Sequence, residues 1–210
     1  IFVHVPKTAG QSVAAAFRPY ADRPEEYLVN RLLGRLAVHL NRRLPYKYRR
    51  FRKHASARQL RRQLPTEVYD GYFKFAFVRN PWDRWVSLFH FMRQYASNHH
   101  HKLARQLNFE EFLTTLACQQ KRQQRTFLTD GHGKLIVDYV GRFETLRDDF
   151  VHICRQLMLT ASLEHIHRSK HRDYRRYYNA RTAQLVAEIS RQDIELFGYD
   201  FDGVARRVAA

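Results

Sequence analysis

Two apolar segments, each followed by a polar loop and a helix-like segment, most constrain how this chain can fold. Residues 1–5 (IFVHV) are rich in β-branched side chains, and Pro6 ends this predicted strand because proline cannot donate to a sheet. Residues 72–78 (YFKFAFV) predict a second strand, and Asn80 followed by Pro81 predicts that a helix begins there. Repeated units of strand, loop and helix predict an α/β fold with a central parallel sheet.

The other patterns place helices on both sides of that sheet. A chain of 210 residues without an internal repeat or linker is expected to form one domain, here residues 1–210. We therefore expect a P-loop-like, three-layer α/β fold. Periodicity, caps and breakers predict helices over residues 13–17, 25–44, 57–64, 81–95, 109–118, 146–159 and 181–197, and a further short strand over residues 135–143.

The charge of the chain indicates the sign of its partners. Thirty-seven Lys and Arg against 20 Asp and Glu give a net charge of +17, which favours polyanions such as nucleic acid, phosphorylated small molecules or acidic polysaccharide. A hydrophobic fraction of 44% and an aromatic fraction of 14% exclude an intrinsically disordered chain.

Apolar runs and cysteines bear on where the protein resides. No run reaches the length of a membrane span, no membrane anchor is visible, and the first residues do not resemble a signal peptide. Only Cys118 and Cys154 are present, without zinc-ligand or disulfide-framework spacing. We expect a cytoplasmic protein, or one in the Golgi lumen if an anchor precedes Ile1.

The loop after the first predicted strand has the composition of an anion site. It reads Lys7, Thr8, Ala9, Gly10, Gln11 and Ser12: a cation, two hydroxyls and small residues at the start of a helix, where phosphate or sulfate binds readily. A nucleoside triphosphatase loop has its lysine after the second glycine, whereas Lys7 precedes Gly10. A kinase of small molecules remains an alternative because it shares the same unit.

The second unit supplies a further candidate anion site. Arg79 follows the second predicted strand, and Ser87 lies on the helix beyond it. If the two strands are neighbours, both loops lie at the carboxyl edge of the sheet, where open α/β folds bind ligands. Arg79 would then bind a second phosphate through its guanidinium, with Ser87 adding a hydroxyl.

These residues carry a resemblance to a known family. HVPKTAGQS and FKFAFVRNPWDRWVSLFHF, with KHASARQL, VGRFETLRDDF and DIELFGYDF, resemble the carbohydrate sulfotransferases, both Golgi-type and bacterial, which include heparan sulfate 2-O- and chondroitin sulfotransferases. Their donor is 3′-phosphoadenosine 5′-phosphosulfate (PAPS), and 3′-phosphoadenosine 5′-phosphate (PAP) is the product. The resemblance spans most of the chain. It implies sulfuryl transfer to a hydroxyl of a carbohydrate, with acidic glycans among the acceptors.

The resemblance also implies roles for particular residues. Residues 7–12 would bind the 5′-phosphosulfate, while Arg79 and Ser87 would bind the 3′-phosphate. Family members more often have glycine where Ala9 stands and Thr or Ser where Gln11 stands. Ser169 lies in a basic segment, residues 167–172, which in similar enzymes is a lid over the 3′-phosphate; a solvated basic turn is the alternative.

Two residues are candidates for the chemistry of such a transfer. Lys7 is the only residue of its loop that carries a full charge, and it would stabilise the leaving phosphate. His54 lies where the similar enzymes have their site histidine, and a histidine suits the general base. His4 is an alternative base, and Glu144 is either a base or a structural carboxylate. Because the donor is already activated, we expect no metal requirement.

Several features have more than one interpretation. The run Asn98-His99-His100-His101-Lys102 favours a solvated loop over a metal site, since its spacing matches no common ligand set. Residues 25–44 would form a basic amphipathic helix, which motivates a nucleic-acid-binding module as a further alternative function, although no nucleic-acid-binding motif is present and we expect no nucleic acid partner. Tyr174, Tyr177 and Tyr178 would either line an acceptor cleft or pack in the core. The loops over residues 46–53, 97–107 and 119–133 are expected to determine acceptor specificity.

Overall fold

Three parallel strands form the centre of the computed structural model, which describes residues 1–22, 28, 32, 51–98, 100–117, 123–163 and 173–204. The strands are β1 (Phe2–Val3), β2 (Phe75–Val78) and β3 (Tyr139–Arg142), in the order β1-β2-β3. Phe2 pairs with Phe75, and Phe75 pairs in turn with Tyr139. The predicted α/β class with a parallel sheet is confirmed.

Helices surround this sheet and extend beyond it. A short antiparallel pair, β4 (Tyr199–Asp200) and β5 (Gly203–Val204), follows the last helix. The α-helices of the described residues are α1 (Gly10–Ala16), α2 (Ala57–Gln63), α3 (Thr66–Gly71), α4 (Pro81–Gln94), α5 (His101–Gln106), α6 (Phe109–Ala117), α7 (Arg125–Leu128), α8 (Leu146–Gln156), α9 (Ala180–Ile189) and α10 (Arg191–Phe197), with 3₁₀ turns at Arg18–Tyr20 and Tyr174–Tyr177.

The alternation of side chains along β2 produces the three layers. Phe75 and Phe77 pack on one face with residues of α1 and α8, including Val13 and Ile153. Ala76, with the other buried residues on its face of the sheet, packs on the opposite side against residues of α2 and α7. All four residues of β2 are buried, because a strand between two helical layers is apolar on both faces. The helices therefore flank the sheet as expected.

A second apolar cluster lies beside the sheet, between α4, α5, α6 and α9. Its centre contains Trp82, Phe89 and Phe112, with Val186 from α9. The ring centroids of Phe89 and Phe112 are 4.9 Å apart. This cluster buries one face of α4, and Trp82 at the start of that helix is a core residue, 4% exposed.

Local signals located several helix starts. Ser56 accepts a hydrogen bond from the backbone of Gln59 and forms a capping box at α2. The Asn80 side chain caps α4 by accepting from the Trp82 N–H, and Pro81 occupies the first helical position. Asn108 forms the predicted reciprocal bonds of a capping box before α6. The helix start predicted at Asn80 and Pro81 is confirmed, and the helices predicted from residues 57 and 109 begin after such caps as well, because a cap depends on side chains only a few residues apart.

Other boundaries differ from the predictions. The predicted strand over residues 1–5 is confined to Phe2–Val3, since the Val5 N–H turns back to the Val3 carbonyl. The predicted helix over residues 181–197 is divided at Ser190 into α9 and α10. Segments 97–107 and 119–133, predicted as loops, contain α5 and α7 respectively.

Part of the sequence-based prediction lies outside the described residues. Most of the predicted basic helix over residues 25–44 falls there, as do Ser169 and the segment around it. Among the helices of the described part, none combines the length and the apolar character required to cross a membrane.

Candidate functional site

A cavity of about 920 Å³ opens where the three parallel strands end. The loops that follow all three strands line it: residues 7–12 after β1, Arg79 after β2, and residues 143–148 after β3. His54 and Ser87 line the same cavity from outside the sheet. Predicted site residues from four distant parts of the chain are therefore brought together.

The loop after β1 turns sharply around its small residues. Lys7 and Ala9 have positive φ angles of 71° and 63°, the left-handed region that glycine adopts most readily. Of residues 7–12, only Thr8 is absent from the cavity lining. It is fully buried, and its hydroxyl donates to the Val5 carbonyl at 3.0 Å. Thr8 thus holds the loop from beneath, while its neighbours face the cavity.

Gly10 allows the loop to lie against His4, which immediately follows β1. A Cβ atom added at Gly10 would lie 2.0 Å from Cδ2 of the His4 ring and 2.1 Å from its Nε2. The His4 ring is itself held between the rings of Phe2 and His54, at centroid distances of 5.6 Å and 4.6 Å. Only glycine fits at position 10 without displacing that stack.

The Lys7 ammonium is poised in a strongly cationic part of the cavity. Its Nζ lies 4.0 Å from the centroid of the Phe91 ring. Burial, followed by the positive charges of Arg79, Arg84 and Lys53, lowers the pKa of Lys7 from 10.5 to about 8. A bound anion would relieve this repulsion, so the site favours a negatively charged ligand.

Arg79 is held rigidly beside that lysine. Its side chain is buried, and its Nε donates to the Asp83 carboxylate at 2.7 Å. The guanidinium carbon lies 3.9 Å from the centroid of Phe143, and Nη1 donates to the Lys7 carbonyl at 3.4 Å. This last bond connects the two predicted anion elements directly.

Helix α4 presents a regularly spaced face to the cavity. Asp83, Ser87 and Phe91 are four residues apart, so they lie on one side of the helix, and all three line the cavity. Ser87 is buried on this face, one turn beyond the partner of Arg79. The predicted pairing of Arg79 with Ser87 within one site is therefore geometrically available.

The ring of His54 has a defined tautomer. Its Nδ1 lies 2.9 Å from the His4 carbonyl oxygen, and a carbonyl only accepts, so Nδ1 carries the proton. In the neutral ring Nε2 is then the basic nitrogen. His54 precedes α2 and lines the cavity together with Lys7, which suits it to receive a proton from a bound hydroxyl.

The two alternative bases have other roles in the structure. Burial, with the nearby charges of His54 and Lys53, lowers the pKa of His4 from 6.5 to about 3, so this ring is a poor base at neutral pH. Both carboxylate oxygens of Glu144 are engaged, one by the Asn80 N–H at 2.7 Å and one by the Tyr199 hydroxyl at 2.9 Å. Glu144 therefore acts as a structural carboxylate that joins segments.

The remaining candidates are distributed between the cavity and the core. Tyr174 lines the cavity, whereas Tyr177 bonds His90 and the Tyr178 hydroxyl donates to the Trp82 carbonyl. In the histidine run, His99 lies outside the described residues, and His101 bonds the Met92 carbonyl through Nδ1. Within the described ranges, no cluster of three or more His, Cys, Asp or Glu residues is arranged to hold a metal ion.

The structure adds residues that the sequence analysis did not select. The loop after β3 brings Phe143 and Arg147 to the cavity, and Asp83 and Phe91 come from α4. The available signal was the third predicted strand, since its carboxyl end meets the same edge of the sheet as the other two. The i,i+4 spacing of Arg79 and Asp83 was a second such signal.

Comparison with known proteins identifies the family. A model described as the sulfotransferase family matches residues 1–200. The chain belongs to the sulfotransferase family. This sulfotransferase is also 27% identical over 107 residues to an uncharacterized protein of Archaeoglobus fulgidus, a match that covers 50% of the chain and 83% of that relative. No solved structure matches the chain significantly.

Membership in the family gives the reaction its class. A sulfotransferase moves a sulfuryl group from a donor to an acceptor, and the sulfate ester that carries the group is an anion. In this sulfotransferase the cavity provides cations at the ends of two neighbouring strands, Lys7 after β1 and Arg79 after β2. The electrostatics of the site therefore agree with the chemistry of the family.

Proposed function

We propose that this sulfotransferase transfers the sulfuryl group of PAPS to a hydroxyl of a carbohydrate. The observation that carries the proposal is that the loop of residues 7–12 and the pair Arg79 and Ser87 line one cavity. PAPS has anionic groups at both its 5′ and 3′ positions. Two adjacent cationic elements in one cavity match a ligand of that kind.

In this proposal each end of the donor has its own binding element. The loop of residues 7–12 holds the 5′-phosphosulfate, with Lys7 providing the charge. Arg79 binds the 3′-phosphate through its guanidinium, which Asp83 and Phe143 already hold in one orientation. Ser87 adds a short hydroxyl donor from α4. A cavity of about 920 Å³ is large for one nucleotide, which leaves room for part of an acceptor.

His54, His4 and Lys7 each have a part in the proposed transfer. His54 accepts the proton of the acceptor hydroxyl at Nε2, and the His4 carbonyl stabilises the resulting imidazolium through Nδ1. The hydroxyl oxygen forms a bond to sulfur as the bond from sulfur to the phosphate oxygen breaks. Lys7 stabilises the charge that develops on that phosphate, and PAP is the second product. The acceptor ends as a sulfate ester.

The proposed acceptor is a carbohydrate, and the charge of the chain favours an acidic one. The net charge of +17 would attract an anionic glycan as well as the donor. Lys53 is exposed and lines the cavity beside His54, where an acceptor hydroxyl would have to enter. The resemblance to carbohydrate sulfotransferases supports the same choice.

Titration calorimetry tests the donor assignment, with PAP and AMP measured in the presence of EDTA and ATP measured both with and without Mg²⁺. We expect PAP to bind without Mg²⁺ and to bind more tightly than AMP, which lacks the 3′-phosphate. If the wild-type protein binds ATP only with Mg²⁺ and does not bind PAP, the proposal is wrong and the kinase alternative is favoured.

Transfer of labelled sulfate from PAPS to a panel of neutral and acidic polysaccharides tests the acceptor. We expect Lys7→Ala to abolish transfer, while Lys134→Ala, an exposed lysine in a turn, retains the parent rate. Labelling of protein or small phenols in place of any polysaccharide would contradict the carbohydrate assignment.

A further inference from the structure

Gln124 clamps the backbone of Arg79 from inside the core. The residue is fully buried, at 0% exposure, and lies 45 positions along the chain from Arg79. Its Oε1 accepts from the Arg79 N–H at 2.9 Å, and its Nε2 donates to the Arg79 carbonyl at 2.8 Å. Both polar atoms of one side chain are therefore used to hold a single residue of the cavity wall.

Asp193 in turn fixes Gln124. This carboxylate is 1% exposed, and it accepts from the Gln124 N–H at 2.7 Å and from the Arg125 N–H at 2.9 Å. It belongs to α10, and the break between α9 and α10 at Ser190 places it over the start of α7. The C-terminal helix thus supports Arg79 through Gln124.

Two arginine side chains contact the loop after β1. The Nε of Arg84 donates to the Pro6 carbonyl at 3.1 Å, immediately before Lys7. The Nη1 of Arg79 donates to the Lys7 carbonyl at 3.4 Å. The support that Asp193 and Gln124 give to Arg79 is therefore connected to the loop after β1 through the Arg79 guanidinium.

We propose that Gln124 and Asp193 are positioning residues that hold the two anion-binding elements in register for a ligand phosphorylated at both ends. Gln124 sets the place of Arg79, and Asp193 sets the place of Gln124. Neither residue lines the cavity, so each acts through another. The inference rests on the proposed function, because it takes PAP as the ligand that spans the two elements.

Paired affinities for PAP and AMP distinguish positioning from general stability. In Gln124→Met, which keeps the side-chain length and removes both hydrogen bonds, we expect PAP to bind about tenfold or more weakly and AMP to bind within about twofold of wild type. In Asp193→Asn we expect the same pattern, because an amide keeps one of the two oxygen acceptors that hold the Gln124 and Arg125 N–H groups.

A destabilising substitution elsewhere serves as the control. Tyr69→Phe removes a buried hydroxyl that donates to the Ile136 carbonyl at 2.8 Å, remote from the cavity lining. We expect this variant to melt at a lower temperature while both ligand affinities remain at the wild-type level. Melting curves of all variants ensure that binding is compared where each protein is folded.

The outcomes separate the two proposals. If wild type fails to bind PAP, the proposed function fails. If wild type binds PAP but Gln124→Met binds it equally well, or loses PAP and AMP affinity by the same factor, the positioning role of Gln124 is wrong. If Asp193→Asn binds PAP as tightly as wild type, or loses PAP and AMP affinity by the same factor, Asp193 has no positioning role. Should Gln124→Met not fold, Gln124→Asn, which is too short to reach both backbone groups, replaces it with the same expectations.

Discussion

The Nδ1 of His54 lies 2.9 Å from the carbonyl oxygen of His4, and this contact fixes the proton on the nitrogen that faces away from the reaction. A bond from a side chain to a backbone carbonyl is insensitive to the substitution of nearby side chains. The basic nitrogen of the neutral ring is therefore Nε2. The same carbonyl favours the imidazolium once a proton has been received.

Removal of the base should slow transfer without weakening donor binding. In His54→Asn the amide nitrogen can still donate to the His4 carbonyl, but no basic nitrogen remains. We expect kcat to fall by about a hundredfold or more, with the dissociation constant of PAP within about twofold of wild type. Exposed His132→Asn is the matched control. A variant with wild-type kcat would exclude His54 as the base.

The affinity for PAP should depend on pH through Lys7. The pKa of Lys7 is lowered to about 8 in the protein without ligand, and only the protonated ammonium attracts an anion. Below this pH the affinity is constant; above it the dissociation constant rises, by up to about tenfold per pH unit. Calorimetry on wild type and Lys7→Met measures the profile. A profile that is equally steep in the variant would assign the effect to another group.

Replacement of Arg79 by lysine should discriminate between ligands. Lysine keeps the charge but loses the bond to Asp83 and the planar contact with Phe143. We expect PAP affinity to fall by about tenfold to a hundredfold, with AMP affinity within about twofold of wild type. Exposed Arg61→Lys on α2 should change neither value. Equal losses for both ligands would place the 3′-phosphate elsewhere.

Gly10 and His4 should be coupled. The methyl group of Gly10→Ala overlaps the His4 ring, so we expect a loss of about 1–3 kcal/mol in the free energy of unfolding and weaker PAP binding. His4→Ala in the same chain removes the overlap and should restore part of both. Urea denaturation of the two single variants and the double variant gives the coupling energy. Purely additive effects would show that the close approach has no energetic consequence.

Acid should destabilise the fold through His4. Its pKa is about 3 in the folded chain and 6.5 when unperturbed, so on acidification the unfolded state binds the proton first. The contribution of His4 to the free energy of unfolding is therefore fully present above pH 6.5. It declines as the pH falls towards 3, by at most about 1.4 kcal/mol per pH unit. Denaturation of wild type and His4→Phe between about pH 7 and pH 5 tests this. If the free energy of unfolding depends on pH equally in both proteins, His4 is not the cause of the acid destabilisation.

The parts of the molecule that the sequence predicted are those determined locally. The caps at Ser56 and Asn80, and the composition of residues 7–12, depend on neighbours within a few positions. The parallel sheet followed because the repeated unit of strand, loop and helix has few alternatives. Once the two strands are parallel neighbours, Lys7 and Arg79 meet at one edge of the sheet.

What the sequence did not reveal depends on contacts across long separations. Gln124 fell in a segment predicted to be a loop for acceptor specificity, yet it is buried and bonded to Arg79, 45 positions away. The break at Ser190 precedes Asp193, whose carboxylate accepts from the Gln124 N–H across 69 positions. A periodic apolar pattern over residues 181–197 carries no trace of that contact, so it predicted one continuous helix.

A crystal structure of the protein with PAP tests the central claim most directly. The account predicts one PAP molecule in the cavity, with its 5′-phosphate within hydrogen-bond distance of residues 7–12 and its 3′-phosphate against Arg79 and Ser87. A PAP molecule bound outside this cavity, or one whose 3′-phosphate contacts neither Arg79 nor Ser87, would contradict it.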